Sequence, residues 1–136
     1  MIKPINKDTT LLSQKSAPTT PKDTQVIIDL IDTLKSHKKD CVGMAANMIG
    51  INKRVIALQL GDLVMPLINP SIIGKSEPYD VEEGCLSLIG ERPAKRFMKI
   101  TVSYLDAEFN PHKQAFEGFA AQIIQHEMDH LEGILI

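Results

Sequence analysis

Tryptophan is absent from this 136-residue sequence, and aromatic residues make up only 4% of it. Aromatic side chains usually bury the largest areas in a core, so this core must be built from Ile, Leu, Val, Met and Ala. No apolar run approaches the roughly 18 residues of a membrane-spanning helix. The start of the chain also lacks the apolar stretch of a secretory signal peptide. We therefore expect a globular protein of the cytoplasm.

Neither sign of charge is in excess. Lys and Arg number 15 and Asp and Glu 17, giving a net charge of −2, so the basic surplus typical of nucleic-acid binding is missing. Cysteine is also scarce, with only Cys41 and Cys85. Because no feature points to secretion, we expect two reduced thiols rather than a disulfide. The length fits one domain spanning residues 1–136.

The first third of the chain predicts an amphipathic helix. Thr20 is a typical N-cap, and Pro21 is favoured at the first helical position. Lysines at positions 35, 38 and 39 then suit a helix C-terminus. We expect a helix of about 18 residues. Its apolar residues recur at helical spacing, and they are Val26, Ile27, Leu30, Ile31 and Leu34.

The middle of the chain predicts strands. Residues 54–60 and 63–68 are mostly apolar, and Gly61-Asp62 between them is typical of a hairpin turn. Asn69-Pro70 is expected to end the second strand. The remaining expectations are short strands at 71–75 and 100–105, a turn at 106–111, and a loop in the Gly- and Ala-rich stretch 43–50.

Gly118 precedes a second helix, whose apolar residues repeat at helical spacing as far as Leu131. The order of elements is therefore helix, strands, helix. This order predicts an α+β fold, in which mostly antiparallel β-sheets pack around the C-terminal helix and an amphipathic helix lies near the N-terminus.

The C-terminal helix carries the motif with the clearest chemistry, His126-Glu127-Met128-Asp129-His130. Histidines four positions apart lie on one face of a helix, at the spacing that a single metal ion needs. Glu127 lies beside the open side of such a metal, where it can act as a base. The sequence therefore predicts a catalytic metal site.

The third metal ligand must come from upstream, since the six residues after His130 include no histidine. Cys85 has the right chemistry, and Gly84 before it permits an unusual turn that could aim the thiolate at the helix. One thiolate and two imidazoles leave the fourth tetrahedral position for water, which is typical of catalytic sites. By contrast, we interpret Cys41 as a packed thiol and His37 and His112 as solvated surface residues. Asp129 fits equally well a partner of the metal ligands or an exposed helix charge.

Three blocks of this sequence resemble the peptide deformylase family. They are the small-residue stretch from Cys41 to Met48, then Glu83-Gly84-Cys85-Leu86-Ser87, and then Gln125 through Leu131. The resemblance implies an α+β fold whose last helix carries the metal-binding histidines. It also implies removal of the formyl group from the N-terminal formyl-methionine of new proteins and possible proximity to the ribosome. From the composition we expect no direct binding to nucleic acid and no membrane partner. One divalent ion per chain is implied, Fe²⁺ by resemblance, with Zn²⁺, Ni²⁺ or Co²⁺ as alternatives in purified protein.

The resemblance also assigns roles to individual residues. Cys85, His126 and His130 take the metal-ligand positions. Glu127 takes the acid/base position, and the backbone N–H of Leu86 takes the position of an oxyanion donor. The positions near the pocket for the methionine side chain are occupied by Val42, Gly43, Glu83, Gln122 and Ile123.

The first block departs from the family pattern at one position. Met48 stands where the family has a glutamine whose amide donates to the developing oxyanion, and a thioether donates nothing. The amide of Asn47 could substitute if the loop is rotated. We therefore predict a metal-dependent deformylase, with two alternatives. One is an amide hydrolase or peptidase acting on another acyl group, and the other is a deformylase-like protein with weak or no activity.

Overall fold

The computed structural model describes residues 1–136, and its elements form an α+β fold, as predicted. A five-stranded antiparallel sheet has the order β1-β2-β3-β4-β5, so each strand pairs with its neighbour in sequence. None of the helices has the length and apolar character needed to span a bilayer. The helices are α1 (Thr9–Leu12), α2 (Thr24–Ser36) and α3 (Gly118–Leu131). The strands are β1 (Gly43–Ala45), β2 (Val55–Leu60), β3 (Leu63–Cys85), β4 (Leu88–Leu105) and β5 (Pro111–Glu117).

The predicted amphipathic helix is confirmed as α2, but it is shorter than expected. Thr20 and Asp23 form a capping box around a 3₁₀ turn at Pro21–Asp23, and regular helix starts only at Thr24. At the other end the helix stops at Ser36, ahead of two of the three lysines. The apolar face of α2 is buried in the core together with residues of the sheet.

The hairpin at Gly61-Asp62 is confirmed, since β2 and β3 pair up to Leu60 and Leu63 on either side of it. The prediction that Asn69-Pro70 ends the strand is wrong. β3 continues through this point with an irregularity in its register, and Asn69 adopts a positive φ of 49°. The Asn69 side chain holds this kink, because it accepts from the backbone N–H of Thr19 and donates to its carbonyl.

The largest feature that the sequence did not indicate is the long hairpin of β3 and β4, which includes residues 76–99. One face of this segment is exposed and the other is only partly buried, and the partly buried face carries charged residues such as Glu83, Arg92 and Arg96, so the segment lacks the alternation of apolar and polar residues that reveals a half-buried strand. Strand β5 is similarly exposed and was also missed, as was the short helix α1. The stretch 43–50, expected to be a loop, contains β1 and a 3₁₀ turn at Ala46–Ile49.

These elements bring distant parts of the chain to one place. Helix α3 packs against β1, β2 and β4, and it is largely buried on the side that faces them. Strand β3 ends at Cys85, beside the same helix. The first block, the end of the long hairpin and the C-terminal helix therefore meet around α3.

Candidate metal and catalytic site

Three side chains converge at the predicted metal site. His126 Nε2 lies 3.2 Å from His130 Nε2, and Cys85 Sγ lies 3.3 Å from His130 Nε2. All three donor atoms are within 4.8 Å of one another, and both histidines are buried. The structure thus brings together the three residues that the sequence predicted as ligands.

The arrangement fits a divalent ion. Tetrahedral coordination at Zn–N of about 2.0–2.1 Å and Zn–S of about 2.3 Å separates neighbouring donors by roughly 3.3–3.6 Å, close to the two observed distances. His126 also has the outer partner typical of a ligating imidazole, since its Nδ1 lies 2.8 Å from Glu83 Oε1. A thiolate with two imidazoles is a donor set that zinc and iron both accept.

The two imidazoles differ in pKa. Burial lowers the pKa of His126, but its bond to Cys85 and the negative charges of Glu127 and Glu83 outweigh burial and raise it to about 10. Burial lowers the pKa of His130 to about 3, and the neighbouring charge of His126 adds to this effect. Two imidazoles this close resist carrying protons together, so a proton on one suppresses protonation of the other. Metal binding requires both to be neutral and would release the proton of His126.

Cys85 is positioned by the end of the long hairpin, though not in the way that the sequence suggested. Gly84 does not adopt an unusual turn, because it is part of strand β3 and pairs with Glu91. The register slips immediately afterwards, so that Cys85 pairs with Leu88, and the extra residues on β4 include Gly90 at a φ of 77°. A bulge opposite the cysteine, rather than a turn before it, therefore shapes this end of the hairpin.

Glu127 lies next to the ligands on α3 and is only 4% exposed. Burial raises the pKa of its carboxyl to about 7. Its Oε1 has no hydrogen-bond partner in the protein, which is unusual for a buried carboxyl oxygen. A carboxyl group with a pKa near neutrality and an unoccupied oxygen is suited to accept and return a proton.

Gly43 allows β1 to approach α3 closely. A Cβ atom at this position would overlap Ile123 Cγ2 and would lie 3.0 Å from Glu127 Oε2. The absence of a side chain at Gly43 therefore lets the backbone of β1 pack directly against the residue expected to be the base.

We expect Gly43→Ala to displace Ile123 or Glu127. Overpacking of this kind typically costs about 1–3 kcal/mol, and a shift of about 1 Å at a reacting group can reduce the rate about 10²-fold. The midpoint temperature of thermal unfolding and kcat should therefore both fall. Gly74→Ala on β3 is the matched control, because a Cβ there would lie an ordinary 3.7 Å from Thr101. Equal effects of the two substitutions would contradict a special role for Gly43.

A cavity of about 520 Å³ opens beside the three ligands. Its walls include every residue that the sequence placed near the substrate, together with Leu86, Cys85, His126 and Glu127. Phe119 and Leu88 also line it and were not predicted. Phe119 could have been found, since it lies on the same helical face as His126, seven residues earlier. The predicted residues in the lining are Val42, Gly43, Glu83, Gln122 and Ile123.

Glu83 lines this cavity, but its carboxylate is already occupied by protein groups. Arg96 donates to it from both Nε and Nη2, and Gln122 Nε2 donates to its Oε2 at 3.0 Å. Burial raises the pKa of Glu83, but its bonds to His126, Arg96 and Gln122 outweigh burial and lower it to about 2. Glu83 is therefore a charged partner of His126.

Arg96 is a site residue that sequence reasoning missed. It lies in the polar segment of β4 and belongs to no motif, so no sequence signal distinguishes it from the exposed Lys and Arg residues around it. Its Nη1 donates to Asp129 Oδ2 at 2.7 Å. Of the two interpretations of Asp129, the structure thus favours a partner in the network around the metal ligands over an unpaired helix charge.

The remaining histidines and the second cysteine lie as expected. His37 and His112 are at the surface and pair with Asp40 and Asp106, respectively. Cys41 is half-buried, and its thiol donates to the carbonyl of Gly43 at 2.9 Å. Both cysteines are free, and burial raises the pKa of Cys41 to about 12, so this thiol stays protonated.

Comparison with known proteins identifies the family. A model of the polypeptide deformylase family matches residues 2–136. The chain is 58% identical to a peptide deformylase of Clostridium beijerinckii over 136 residues, the full length of both chains. The chain belongs to the peptide deformylase family. This membership confirms the resemblance seen in the three sequence blocks and the prediction of an enzyme.

Solved structures of the family share the fold. The crystal structure of peptide deformylase from Thermotoga maritima matches with a TM-score of 0.89 at 30% identity, covering 99% of this chain and 95% of that one. A Met-Ala-Ser-bound class I type b peptide deformylase from Acinetobacter baumannii matches with a TM-score of 0.87 at 29% identity, covering 99% and 96%. The arrangement of sheet and C-terminal helix is thus a deformylase arrangement.

Met48, which departs from the family pattern, lines the cavity and is 1% exposed. Its sulfur accepts from the backbone N–H of Ala45 at 3.4 Å. The idea that Asn47 replaces the missing amide is not supported, because Asn47 Nδ2 donates to the carbonyl of His130 at 2.8 Å and the residue does not line the cavity. Asn47 instead anchors the end of α3.

Proposed function

We propose that this deformylase removes the N-formyl group from the formyl-methionine of newly made proteins, using one divalent metal ion in a single domain formed by residues 1–136. One observation carries the proposal. A cysteine thiol and two imidazoles converge at metal-binding distances beside a buried carboxyl group, at the wall of a cavity. Cys85, His126 and His130 would hold the ion.

A bound divalent ion would polarise the formyl carbonyl and lower the pKa of a water molecule at the site. Glu127 is the residue we assign to proton transfer. Its Oε1 accepts a proton from the attacking water and returns it to the leaving amine when the formyl C–N bond breaks. Formate and a free N-terminal amino group are the products. Because Glu127 is not a ligand, it remains free for this role.

The backbone N–H of Leu86 is assigned to stabilise the oxyanion that develops on the formyl oxygen. Leu86 follows the ligand Cys85 directly and lines the cavity. A donor fixed by the backbone needs no reorganisation when charge develops, which is the condition for effective electrostatic stabilisation. The position therefore fits the role.

The methionine side chain is assigned to the part of the cavity between β1 and α3. Apolar wall groups there come from Val42, Ile123 and Phe119, and an unbranched thioether fits such a surface. Gly43 leaves room for the peptide backbone, and Gln122 adds a polar group. A related deformylase from Acinetobacter baumannii is known with Met-Ala-Ser bound, which supports a methionyl peptide as the ligand. Glu83 forms part of the wall of this pocket and is also the hydrogen-bond partner of His126.

Which metal ion occupies the site depends both on the affinity of the site and on the supply of each metal in the cell. By affinity order an S/N/N site binds Zn²⁺ more tightly than Fe²⁺, whereas family resemblance favours Fe²⁺. We propose Fe²⁺ as the native ion, acting in the cytoplasm on chains emerging near the ribosome. Metal analysis after anaerobic purification should find about one ion per chain, and Cys85→Ala should reduce that ratio if three ligands hold the ion.

Formyl release is the decisive assay. We expect rapid release of formate from a formyl-Met-Ala peptide, and no release of acetate from the acetyl-Met-Ala control. Hydrolysis of the acetyl peptide alone would instead favour an amide hydrolase of another acyl class. Protein that contains metal but releases no formate would favour the inactive, deformylase-like alternative. Each of the three outcomes therefore supports a different one of the three functions predicted from the sequence.

A further inference from the structure

Arg96 is a buried cation behind the metal ligands, only 5% exposed. Its guanidinium is used on two sides. Nε and Nη2 donate to the carboxylate of Glu83 at distances down to 2.7 Å, and Nη1 donates to Asp129 at 2.7 Å. Arg96 thus binds two carboxylates at once in a fork geometry that lysine cannot reproduce.

The three residues of this cluster come from three elements. Glu83 lies on β3, two residues before the ligand Cys85. Arg96 lies on β4, the other strand of the long hairpin, and Asp129 lies on α3, directly before the ligand His130. The guanidinium therefore cross-links the hairpin that supplies the thiol to the helix that supplies both imidazoles.

We propose that Arg96 is a positioning residue of the metal site, which acts through Glu83 on His126, while Asp129 holds the guanidinium in place. The proposal rests on the metal-dependent function proposed above. Arg96 makes no hydrogen bond to the ligands' donor atoms and does not line the cavity, so its effect must pass through Glu83, the carboxylate that is bonded to His126.

The contacts explain how this works. Glu83 Oε1 is shared between Arg96 Nη2 at 2.7 Å and His126 Nδ1 at 2.8 Å, so the guanidinium fixes the oxygen that orients the imidazole. A hydrogen bond to the outer nitrogen of a ligating histidine sets its tautomer and ring orientation. Without Arg96, the buried Glu83 carboxylate would lose its fork partner and could turn away from Nδ1.

Metal affinity is the readout that tests this proposal. We expect Arg96→Met to weaken Zn²⁺ binding, measured by competition with a chromophoric chelator, by about 10–100-fold, the usual effect of losing an outer partner of a metal ligand. Arg96→Lys, which keeps the charge without the fork, should lie between wild type and Arg96→Met. The visible spectrum of the Co²⁺ form should change in Arg96→Met, because the His126 ring is no longer held in orientation.

Lys99→Met is the matched control. Lys99 lies on the same strand and pairs with Glu77 on β3 at 3.2 Å, but both side chains are more than half exposed and far along the hairpin from Cys85. Lys99→Met removes a cation and an ion pair between β3 and β4, just as Arg96→Met does. We expect its Zn²⁺ affinity and Co²⁺ spectrum to match those of wild type.

A double-mutant cycle with Glu83→Gln separates positioning from general stabilisation. If Arg96 acts through Glu83, then Arg96→Met should cause less than about a twofold further loss of affinity in the Glu83→Gln background, which is within the usual error of additivity. The double variant leaves no charge at the buried Glu83 position, and the Asp129 carboxylate that also loses its partner is 28% exposed, so the double variant tests the proposal even if Arg96→Met alone does not fold. Far-UV circular dichroism identifies the folded variants.

Two results would overturn the proposal. One is a wild-type Zn²⁺ affinity in folded Arg96→Met. The other is that Arg96→Met lowers the Zn²⁺ affinity equally in the wild-type and Glu83→Gln backgrounds. Either result leaves the deformylase function intact, provided that the wild-type protein binds metal and releases formate. A wild-type protein that does neither would contradict the proposed function itself, so the two failures are distinguishable.

Discussion

Glu127→Gln is expected to keep its metal and lose most of its turnover. The carboxyl group is not a ligand, and an amide of the same shape preserves the packing against Gly43 while removing the ability to take a proton. General acid–base groups typically contribute about 10²–10⁴-fold to rate, so kcat should fall by that factor with little change in KM. Metal content and steady-state formate release on the same preparation provide the measurement.

Glu132→Gln supplies the control for this experiment. Glu132 is the C-cap residue of α3, pairs with Arg54 at 2.9 Å and does not line the cavity. Its substitution removes a carboxylate of the same helix without touching the site, so kcat should stay near the wild-type value. If Glu127→Gln loses metal and activity together, Glu127 is instead a ligand or a structural residue.

The part of the site on α3 could be predicted because helical spacing is local. The four-position spacing from His126 to His130 fixes their relative position wherever the helix lies, and the glutamate between them follows. Cys85 could be chosen only by chemistry and by the absence of a downstream histidine. Its actual position depends on a register slip in the β3–β4 hairpin, which is set by pairing between strands and leaves no mark in either strand alone.

Arg96 shows why the rest of the site was not predictable. Its role arises from contacts with Glu83, 13 positions away, and with Asp129, 33 positions away. Both partners are common charged residues, and the sequence around Arg96 resembles an ordinary exposed strand. Glu83 was predicted for the methionine pocket because it matched a family block, but its main contacts are with charged and polar groups of the protein. Spacing in the sequence reveals which residues are neighbours on one helix or strand, whereas these contacts join residues of three different elements.

Met48→Gln is expected to raise kcat by at most about 10²–10³-fold, the typical value of one oxyanion donor. The structure makes the substitution favourable in shape, since both side chains are unbranched and of similar length. Ala45 N–H now donates to the Met48 sulfur at 3.4 Å. In the variant the amide oxygen of Gln can accept this bond, which leaves its NH₂ group to face the cavity. Because the oxyanion exists only in the transition state, the gain should appear in kcat rather than in KM.

Met48→Leu is the control for this gain, because it removes the sulfur without adding a donor and should leave kcat nearly unchanged. Asn47→Ala gives a second comparison. Since the Asn47 amide is bound to the carbonyl of His130, its loss should lower the thermal stability of the protein and the metal affinity more than the chemical step. Unchanged kcat in Met48→Gln would mean that the metal and the Leu86 N–H already stabilise the oxyanion fully. In that case the thioether is a neutral replacement for the family's glutamine, and our interpretation of this loop is wrong.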